Sequence, residues 1–356
     1  MSVITRIEIT HHQLPLDPPF PASWDTQPRT KFPATIVRVH DDEGRVGIGS
    51  GDAMYGFADY ERYFIGHDPL DLDRHAAVLA NIEFHAGRPW PMDIALWDLA
   101  GKAAGQPLWR LLGGSPTESM PCYASLLRYG EAAQVGAACE RAIGLGYRDI
   151  KLHEITVPEI AAARKAIGPD ARLMVDTNCP WTVWEAIDMA RRVEEYDLTW
   201  FEEPVWPPGD HDGLARVRAE GGVPIAAGEN AAGLHDFRVA FETEALDVAQ
   251  PSVIKIGGPS AMIEIAALAR AFGVRVVPHN AYFGAGYLAS LHCNAALAPD
   301  APFERLFLDL EASPYHDLVV AENGRVAVPD GPGLGRDPDM AVLRKYLVGD
   351  AGIHRA

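Results

Sequence analysis

The sequence predicts an α/β chain built around a closed parallel barrel of the TIM type, preceded by an α+β unit. Three observations carry this. After Pro121, short apolar, β-rich runs recur at intervals of about 25 residues: Cys122–Leu126, Asp149–His153, Leu173–Asn178, Thr199–Glu203, Pro224–Glu229, Leu246–Gln250, Val274–His279 and Leu306–Glu311. Between them lie Ala-, Glu- and Arg-rich stretches of helical period, such as Trp184–Val193 and Ala261–Ala271. Before them, Ile36–Gly49 alternates as two strands around a turn at Asp41-Asp42-Glu43-Gly44. Strands alternating with helices in this way close into a barrel. An open doubly wound sheet is the rival, and no Gly-x-Gly-x-x-Gly marks a first strand–helix turn.

The elements follow in order. Met1–Thr10 alternates apolar and polar residues and reads as a first strand. Pro15–Lys31, with several prolines beside Trp24, Arg29 and Lys31, reads as a loop between strands. Pro91–Leu112 is helical, with Ile94, Leu96, Trp97, Leu99 and Ala100 in phase, and Gly113-Gly114 ends it. The predicted boundaries are an α+β domain over 1–115, the barrel over 116–325, and a polar C-terminal segment over 326–356 with a loop at Asp330–Gly335 and a short helix at its end.

Composition narrows the function classes. A length of 356 residues accommodates one large and one smaller domain, and 48% hydrophobic residues is ordinary for a globular chain. The net charge of −18 argues against a nucleic-acid partner, which calls for a basic face. An anionic substrate would therefore be attracted by local cations or a metal and not by the global field. No apolar run is long enough for a membrane helix and no export signal opens the chain. Cys122, Cys139, Cys179 and Cys293 show no Cys-x-x-Cys pairing, so they read as reduced thiols of a cytoplasmic protein and not as zinc ligands.

In a parallel barrel the reactive groups stand at the C-terminal ends of strands. The third run ends Asp176-Thr177-Asn178, the fourth Glu202-Glu203-Pro204 and the fifth Glu229-Asn230. Alone, an acidic residue there is a helix cap or a solvated charge. Three on consecutive strands repel one another unless a cation lies between them. Oxygen ligands without His or Cys favour Mg²⁺, with Mn²⁺ as an alternative. Side chains alternate along a strand, so only one of Glu202 and Glu203 faces the ion. The second run ends Lys151-Leu152-His153, whose two ionisable side chains share a face; a neighbouring cation would push the Lys151 pKa down. His279 ends the seventh run, opposite the second. Lys255 follows the sixth and is either a further ionisable group or an anchor for its turn.

Together these motifs resemble the mandelate racemase/muconate lactonizing branch of the enolase superfamily, over nearly the whole chain. Ile94-Ala-Leu-Trp-Asp-Leu-Ala-Gly-Lys102, Leu108–Gly113, Asp176, the Phe-Glu-Glu-Pro run, Gly228-Glu229-Asn230, Lys255-Ile-Gly-Gly258, His279 and Pro332-Gly-Leu-Gly335 stand in that family's order. The resemblance implies a (β/α)7β barrel under an N-terminal capping domain, with a substrate-selecting lid loop at 16–31 and the C-terminal segment returning to the cap. It implies Asp176, Glu202 and Glu229 as Mg²⁺ ligands and His153 and His279 as acid/base groups on opposite faces of the substrate. Lys151 would help hold a carboxylate. Glu311 matches the group on the eighth strand that hydrogen-bonds that carboxylate, with Asp309 close enough to compete for the match. Asn178, Arg29 and Tyr282 are further candidates for substrate contact, Arg29 for a second carboxylate. The partner is a small carboxylate, and a homo-oligomer is expected.

Two positions depart from the family pattern: Lys151-Leu-His153 replaces Lys-x-Lys, and Ser252 replaces the Asp that pairs with the histidine of the seventh strand. A histidine without a carboxylate partner is a weaker base, so His153, alone or with Lys151, is expected to abstract the proton and His279 to donate one. The expected activity is Mg²⁺-dependent proton removal next to a carboxylate through an enediolate, foremost dehydration of a sugar-derived acid to a 2-keto-3-deoxy acid. The alternatives are a racemase, epimerase or lactone cycloisomerase, in which Lys255 would matter more, and, remotely, a non-catalytic binding protein.

Overall fold

The computed structural model describes residues 2–21, 26–51, 54, 57, 59–280, 284–310, 313–349 and 352–355. The chain opens with an antiparallel meander of β1 (Ile4–Phe20), β2 (Arg29–Asp41) and β3 (Val46–Gly51). Alternation puts Ile7, Ile9, Val37 and Val39 on one face, where they pack against α1 (Leu72–Ala86) and α2 (Pro91–Ala104) through Leu79, Ile82, Met92, Leu96 and Leu99. The single helix expected over Pro91–Leu112 is two. Gly105 takes a left-handed φ of 62° and closes α2, and Pro107 precedes the short α3 (Leu108–Leu111).

The ends of the stretch expected to be a loop, Pro15–Lys31, are strand: residues 15–20 extend β1 and 29–31 open β2, with Pro15 paired to Lys31 and Phe20 to Arg29. The prolines fall where the register shifts between Pro15 and Phe20, the place where a sheet tolerates them. Leu16 and Phe20 explain the extension. They bury against Leu127, Leu306 and Leu308 of the barrel, so the hairpin lies over the barrel mouth.

Eight parallel strands follow: β4 (Ser119–Ser125), β5 (Asp149–Leu152), β6 (Arg172–Asp176), β7 (Leu198–Glu202), β8 (Ile225–Ala227), β9 (Val248–Ala249), β10 (Arg275–Val276) and β11 (Phe303–Leu306). Their ladder runs β10-β9-β8-β7-β6-β5-β4-β11. Asn280 joins its two ends, its backbone N–H donating to Glu304 Oε2 at 3.1 Å and its side chain to the Glu304 carbonyl at 3.0 Å. The helices between strands are α4 (Ala132–Gly144), α5 (Val157–Ile167), α6 (Val183–Val193), α7 (His211–Gly221), α8 (Leu234–Glu242), α9 (Gly258–Phe272) and α10 (Ala285–Leu297). After β11 the chain runs into β12 (Asp309–Leu310), which pairs with β1. The architecture is therefore (β/α)7β. The expected eighth run, Leu306–Glu311, straddles two sheets, and the barrel strand lies earlier.

The C-terminal segment returns to the cap. β13 (Arg325–Ala327) pairs with β4, α11 (Met340–Lys345) follows, and β14 (Gly352–Arg355) pairs with β1. Asp98 on α2 ties three regions together: it accepts from the Ile48 and Leu334 backbone N–H groups at 2.8 and 2.7 Å and pairs with Lys102 at 2.8 Å. A side chain at Gly333 would strike Asp98, which accounts for a glycine in Pro332-Gly-Leu-Gly335. Among the described residues, no helix is long and apolar enough to cross a membrane.

Asp93 makes a second tie. Its buried carboxylate accepts from the Ser260 N–H and hydroxyl at 3.1 and 2.8 Å, joining α2 to the first turn of α9. Burial pushes its pKa from 3.8 up to about 7, against the Ser260 bonds. Both folded and unfolded chains hold this proton below the ordinary value. Between there and about pH 7 only the unfolded carboxylate ionises, so the stabilisation present in acid is lost as pH rises. Asp93→Asn lacks this titration. Its urea midpoint should rise relative to that of the unmodified protein between pH 5 and pH 8, and a constant difference would show that Asp93 does not titrate with folding.

Candidate active site

Strand alternation builds the barrel interior. Tyr123, Met174, Trp200, Ala226, Val248 and Val277 point inward and fill it. Two residues further along β6, β7 and the end of β10, the same parity delivers Asp176, Glu202 and His279. On β5 it delivers Lys151 and His153. Glu229 breaks the parity of β8: Gly228, at a φ of 128°, redirects the chain there.

Asp176, Glu202 and Glu229 are buried and offer oxygens that lie within 4.8 Å of one another. Glu202 and not Glu203 faces this triad, as strand alternation requires. Glu203 Oε2 instead accepts from Asn230 Nδ2 at 2.8 Å. Thr177 Oγ1 donates to the Glu202 and Glu203 carbonyls at 3.1 and 3.0 Å, stitching the ends of β6 and β7. Trp200 Nε1 donates to Glu202 Oε2 at 2.8 Å. Asn178, expected against substrate, donates from both its backbone N and its Nδ2 to Asp176 Oδ1, at 3.0 and 2.8 Å. Its left-handed φ of 53° permits both bonds.

Lys151 is 1% exposed, and its Nζ lies 3.1 Å from Asp176, 3.0 Å from Glu202 and 2.8 Å from Glu304. The depression expected of its pKa presupposes a neighbouring cation; the protein groups alone act the other way. Burial lowers it, but the three carboxylates outweigh burial and hold the ammonium well above its ordinary range. Lys151 is thus held as a cation by the side chains around it. Asp176 is held below the usual carboxylate range despite burial, chiefly by Lys151. Glu202 is driven far above it by burial and by the charge of Asp176. Burial and Glu229 push Glu203 up to about 8.

The two histidines flank the triad. His153 Nε2 lies 3.3 Å from Asp176, and its Nδ1 bonds the Leu126 carbonyl. His279 Nε2 lies 3.2 Å from Glu229, and its Nδ1 meets Ser252 Oγ at 3.0 Å. Lys255 Nζ stands 3.2 Å from Glu229. Phe20, from the capping hairpin, lies edge-on to His153 at 5.8 Å between ring centroids. Arg29, at the first residue of β2, has its guanidinium carbon 5.9 Å from the Phe32 ring centroid. Glu311, Tyr282, Phe283 and Trp24 lie outside the described residues.

Glu304 was missed from sequence. It faces inward from β11, buried, touching Lys151 and Asn280. The signal was strand parity, but the more apolar segment from Leu306 onward drew the eighth strand too late.

The donor set fits a divalent metal. Five buried carboxylates (Asp176, Glu202, Glu203, Glu229 and Glu304) face two ammonium groups, Lys151 and Lys255. Asp176 and Glu202 oppose one another's ionisation, which further positive charge would relieve, and the ligating atoms are hard oxygens. Replacing Lys151 by Met should therefore destabilise the chain by about 3–5 kcal/mol when EDTA is present, the usual cost of stranding buried charge. Mg²⁺ should restore part of that loss in urea unfolding. Equal midpoints for the two chains in EDTA would show that the lysine does not hold the cluster together.

Comparison with known proteins gives the family and supports the fold. Residues 4–113 match the mandelate racemase/muconate lactonizing enzyme N-terminal domain, and residues 134–342 match the enolase C-terminal domain-like family. The chain is 36% identical over 352 residues to a D-galactarolactone cycloisomerase of Agrobacterium fabrum, covering 88% of this chain and 91% of that one. It is 32% identical over 268 residues to an arabinonate dehydratase of Saccharolobus solfataricus, covering 72% and 70%. A crystal structure of a racemase from Streptomyces coelicolor with bound magnesium superposes with a TM-score of 0.86 at 28% identity, covering 97% of this chain and all of that one. The chain is an enzyme, a lyase or an isomerase. It belongs to the mandelate racemase/muconate lactonizing enzyme family of the enolase superfamily.

Proposed function

We propose that the chain removes the proton next to the carboxylate of a sugar-derived acid and expels the oxygen on the neighbouring carbon, foremost as water, to form a 2-keto-3-deoxy acid. The carrying observation is the unequal support of the two histidines. A carbonyl oxygen only accepts, so the Leu126 contact obliges His153 Nδ1 to carry the hydrogen. Its Nε2 turns toward Asp176, 3.3 Å away, and a metal ion that took this carboxylate as a ligand would leave Nε2 bare, as a base requires. Ser252 can donate or accept, so His279 is free to carry its proton on Nε2 and release it.

Asp176, Glu202 and Glu229 would hold Mg²⁺, the ion bound in the similar Streptomyces structure. That ion would supply positive charge to the substrate carboxylate, where negative charge builds as the α-proton leaves. Lys151, kept cationic by its neighbours, adds a second positive group for the same oxygens. Glu304 takes the place expected for Glu311, because it is the inward acid of the eighth barrel strand. His153 Nε2 takes the α-proton, the C–H pair becomes the new C=C bond, and the C–O pair leaves with oxygen, which receives the His279 proton. The enol so formed becomes the keto acid by taking a proton on carbon. The hairpin, seated through Phe20, shields His153 from water. Four free cysteines support a reducing compartment such as the cytoplasm.

The match to a lactone cycloisomerase supports a second reading. If the departing oxygen belongs to a lactone ring, the same proton transfers open the ring and the product is an isomer of the substrate. Proton NMR in D₂O on five- and six-carbon aldonic and aldaric acids and their lactones tests both readings. With Mg²⁺, at least one of these should exchange its α-proton and yield a keto acid, and EDTA should abolish both. His153→Asn should lose exchange and elimination together. His279→Asn should keep exchange while losing elimination. The reverse pattern would exchange the two roles, and inertness toward the whole panel would sink the proposal.

A further inference from the structure

We propose that Glu154, next in sequence to His153, is the positioning residue of this site: it holds the turn whose carbonyl sets the orientation and tautomer of His153. The inference rests on the reading of His153 as the base. Glu154 follows β5 and alternation turns it away from the triad, yet it is only 2% exposed. Its carboxylate closes on two successive backbone N–H groups across the barrel wall. Oε1 accepts from Tyr129 at 2.6 Å and from Gly130 at 3.2 Å, and Oε2 accepts from Gly130 at 3.2 Å.

These bonds fasten the far end of the turn that follows β4. The near end is fastened by the Leu126 N–H, which donates to the Lys151 carbonyl at 2.8 Å. Between the two anchors the Leu126 carbonyl receives His153 Nδ1. The turn is thus clamped to β5 at both ends, and the carbonyl that holds His153 Nδ1 lies within it, while the other ring nitrogen faces Asp176. Leu127 of the same turn packs with Phe20, the ring that lies edge-on to His153. Removing the Glu154 carboxylate leaves two backbone donors without their acceptor, frees one end of the turn and lets the Leu126 carbonyl drift. A reacting group displaced by about 1 Å loses on the order of 100-fold in rate.

The test uses the full-length, Mg²⁺-loaded chain labelled with ¹⁵N-histidine at pH 8, with His153→Asn identifying the His153 signals. The unmodified protein should show His153 protonated at Nδ1 alone. Glu154→Ala should shift those signals toward a mixture of tautomers. Glu154→Gln, whose amide oxygen can still accept from Tyr129 and Gly130, should keep them. Should the alanine chain not fold, Glu154→Asp, one methylene too short to reach both N–H groups, serves in its place with a smaller shift expected. On the acid and lactone panel, Glu154→Ala should slow α-proton exchange about 10- to 100-fold while the glutamine variant recovers most of it. Unchanged His153 signals in a chain that merely melts earlier would overturn the proposal and leave the reading of His153 as base intact. Undiminished exchange by His153→Asn would overturn that reading, and the proposal with it, whatever the tautomer signals show.

Discussion

Like-charge repulsion at the mouth of the barrel is the constraint on which the site depends. Three ligand-bearing strand ends bring Asp176, Glu202 and Glu229 together in a buried space, with Glu203 and Glu304 beside them. Lys151 offsets part of this charge by standing within 3.1 Å of three carboxylates. It does not offset all of it, because these five carboxylates stand against the two ammonium groups of Lys151 and Lys255. A site with this imbalance calls for a cation, and a bound ion would supply the positive charge that a developing anion requires. The whole chain carries a net charge of −18, so attraction for an anionic substrate has to arise within these few ångströms.

The second feature is asymmetry. His153 and His279 stand on either side of the triad at similar distances from a carboxylate, yet a carbonyl supports one and a hydroxyl the other. A carbonyl admits a single tautomer and a hydroxyl admits either. In the proposed reaction, this difference in backing would separate base from acid. It also accounts for the two departures from the family's sequence pattern together: a histidine in place of lysine gains direction from Leu126, and a serine in place of aspartate leaves its partner able to release a proton.

The cap shares a hydrophobic core with the barrel through Ile36, Ile48 and Ile94, and specific polar contacts join it to the rest of the chain. Asp98 joins β3, α2 and the C-terminal loop, and Asp93 joins α2 to the start of α9. Both carboxylates lie against glycines, Gly333 and Gly258, where any side chain would collide. The Asp-rich helix motif and the distant glycine motifs are thus two halves of the same contacts. Held this way, the hairpin of β1 and β2 reaches across the mouth and sets Phe20 on His153.

Sequence alone was enough for whatever follows from period and parity. The alternation of apolar runs with helical stretches determined the barrel. The alternation of side chains along a strand determined that Lys151 and His153 share a face and that only one of Glu202 and Glu203 meets the triad. These are local rules, obeyed within a few residues. Tertiary structure decided what depends on partners far apart in the chain. Pro15–Lys31 reads as a loop until Leu16 and Phe20 find Leu127 and Leu308. Glu304 stayed hidden because a short strand beside a more apolar segment has no register of its own until β4 supplies one. Lys151 could be placed from sequence but not its charge state, because that is set by three carboxylates from three other strands, and electrostatic energy depends on distances in space that no spacing along the chain reveals.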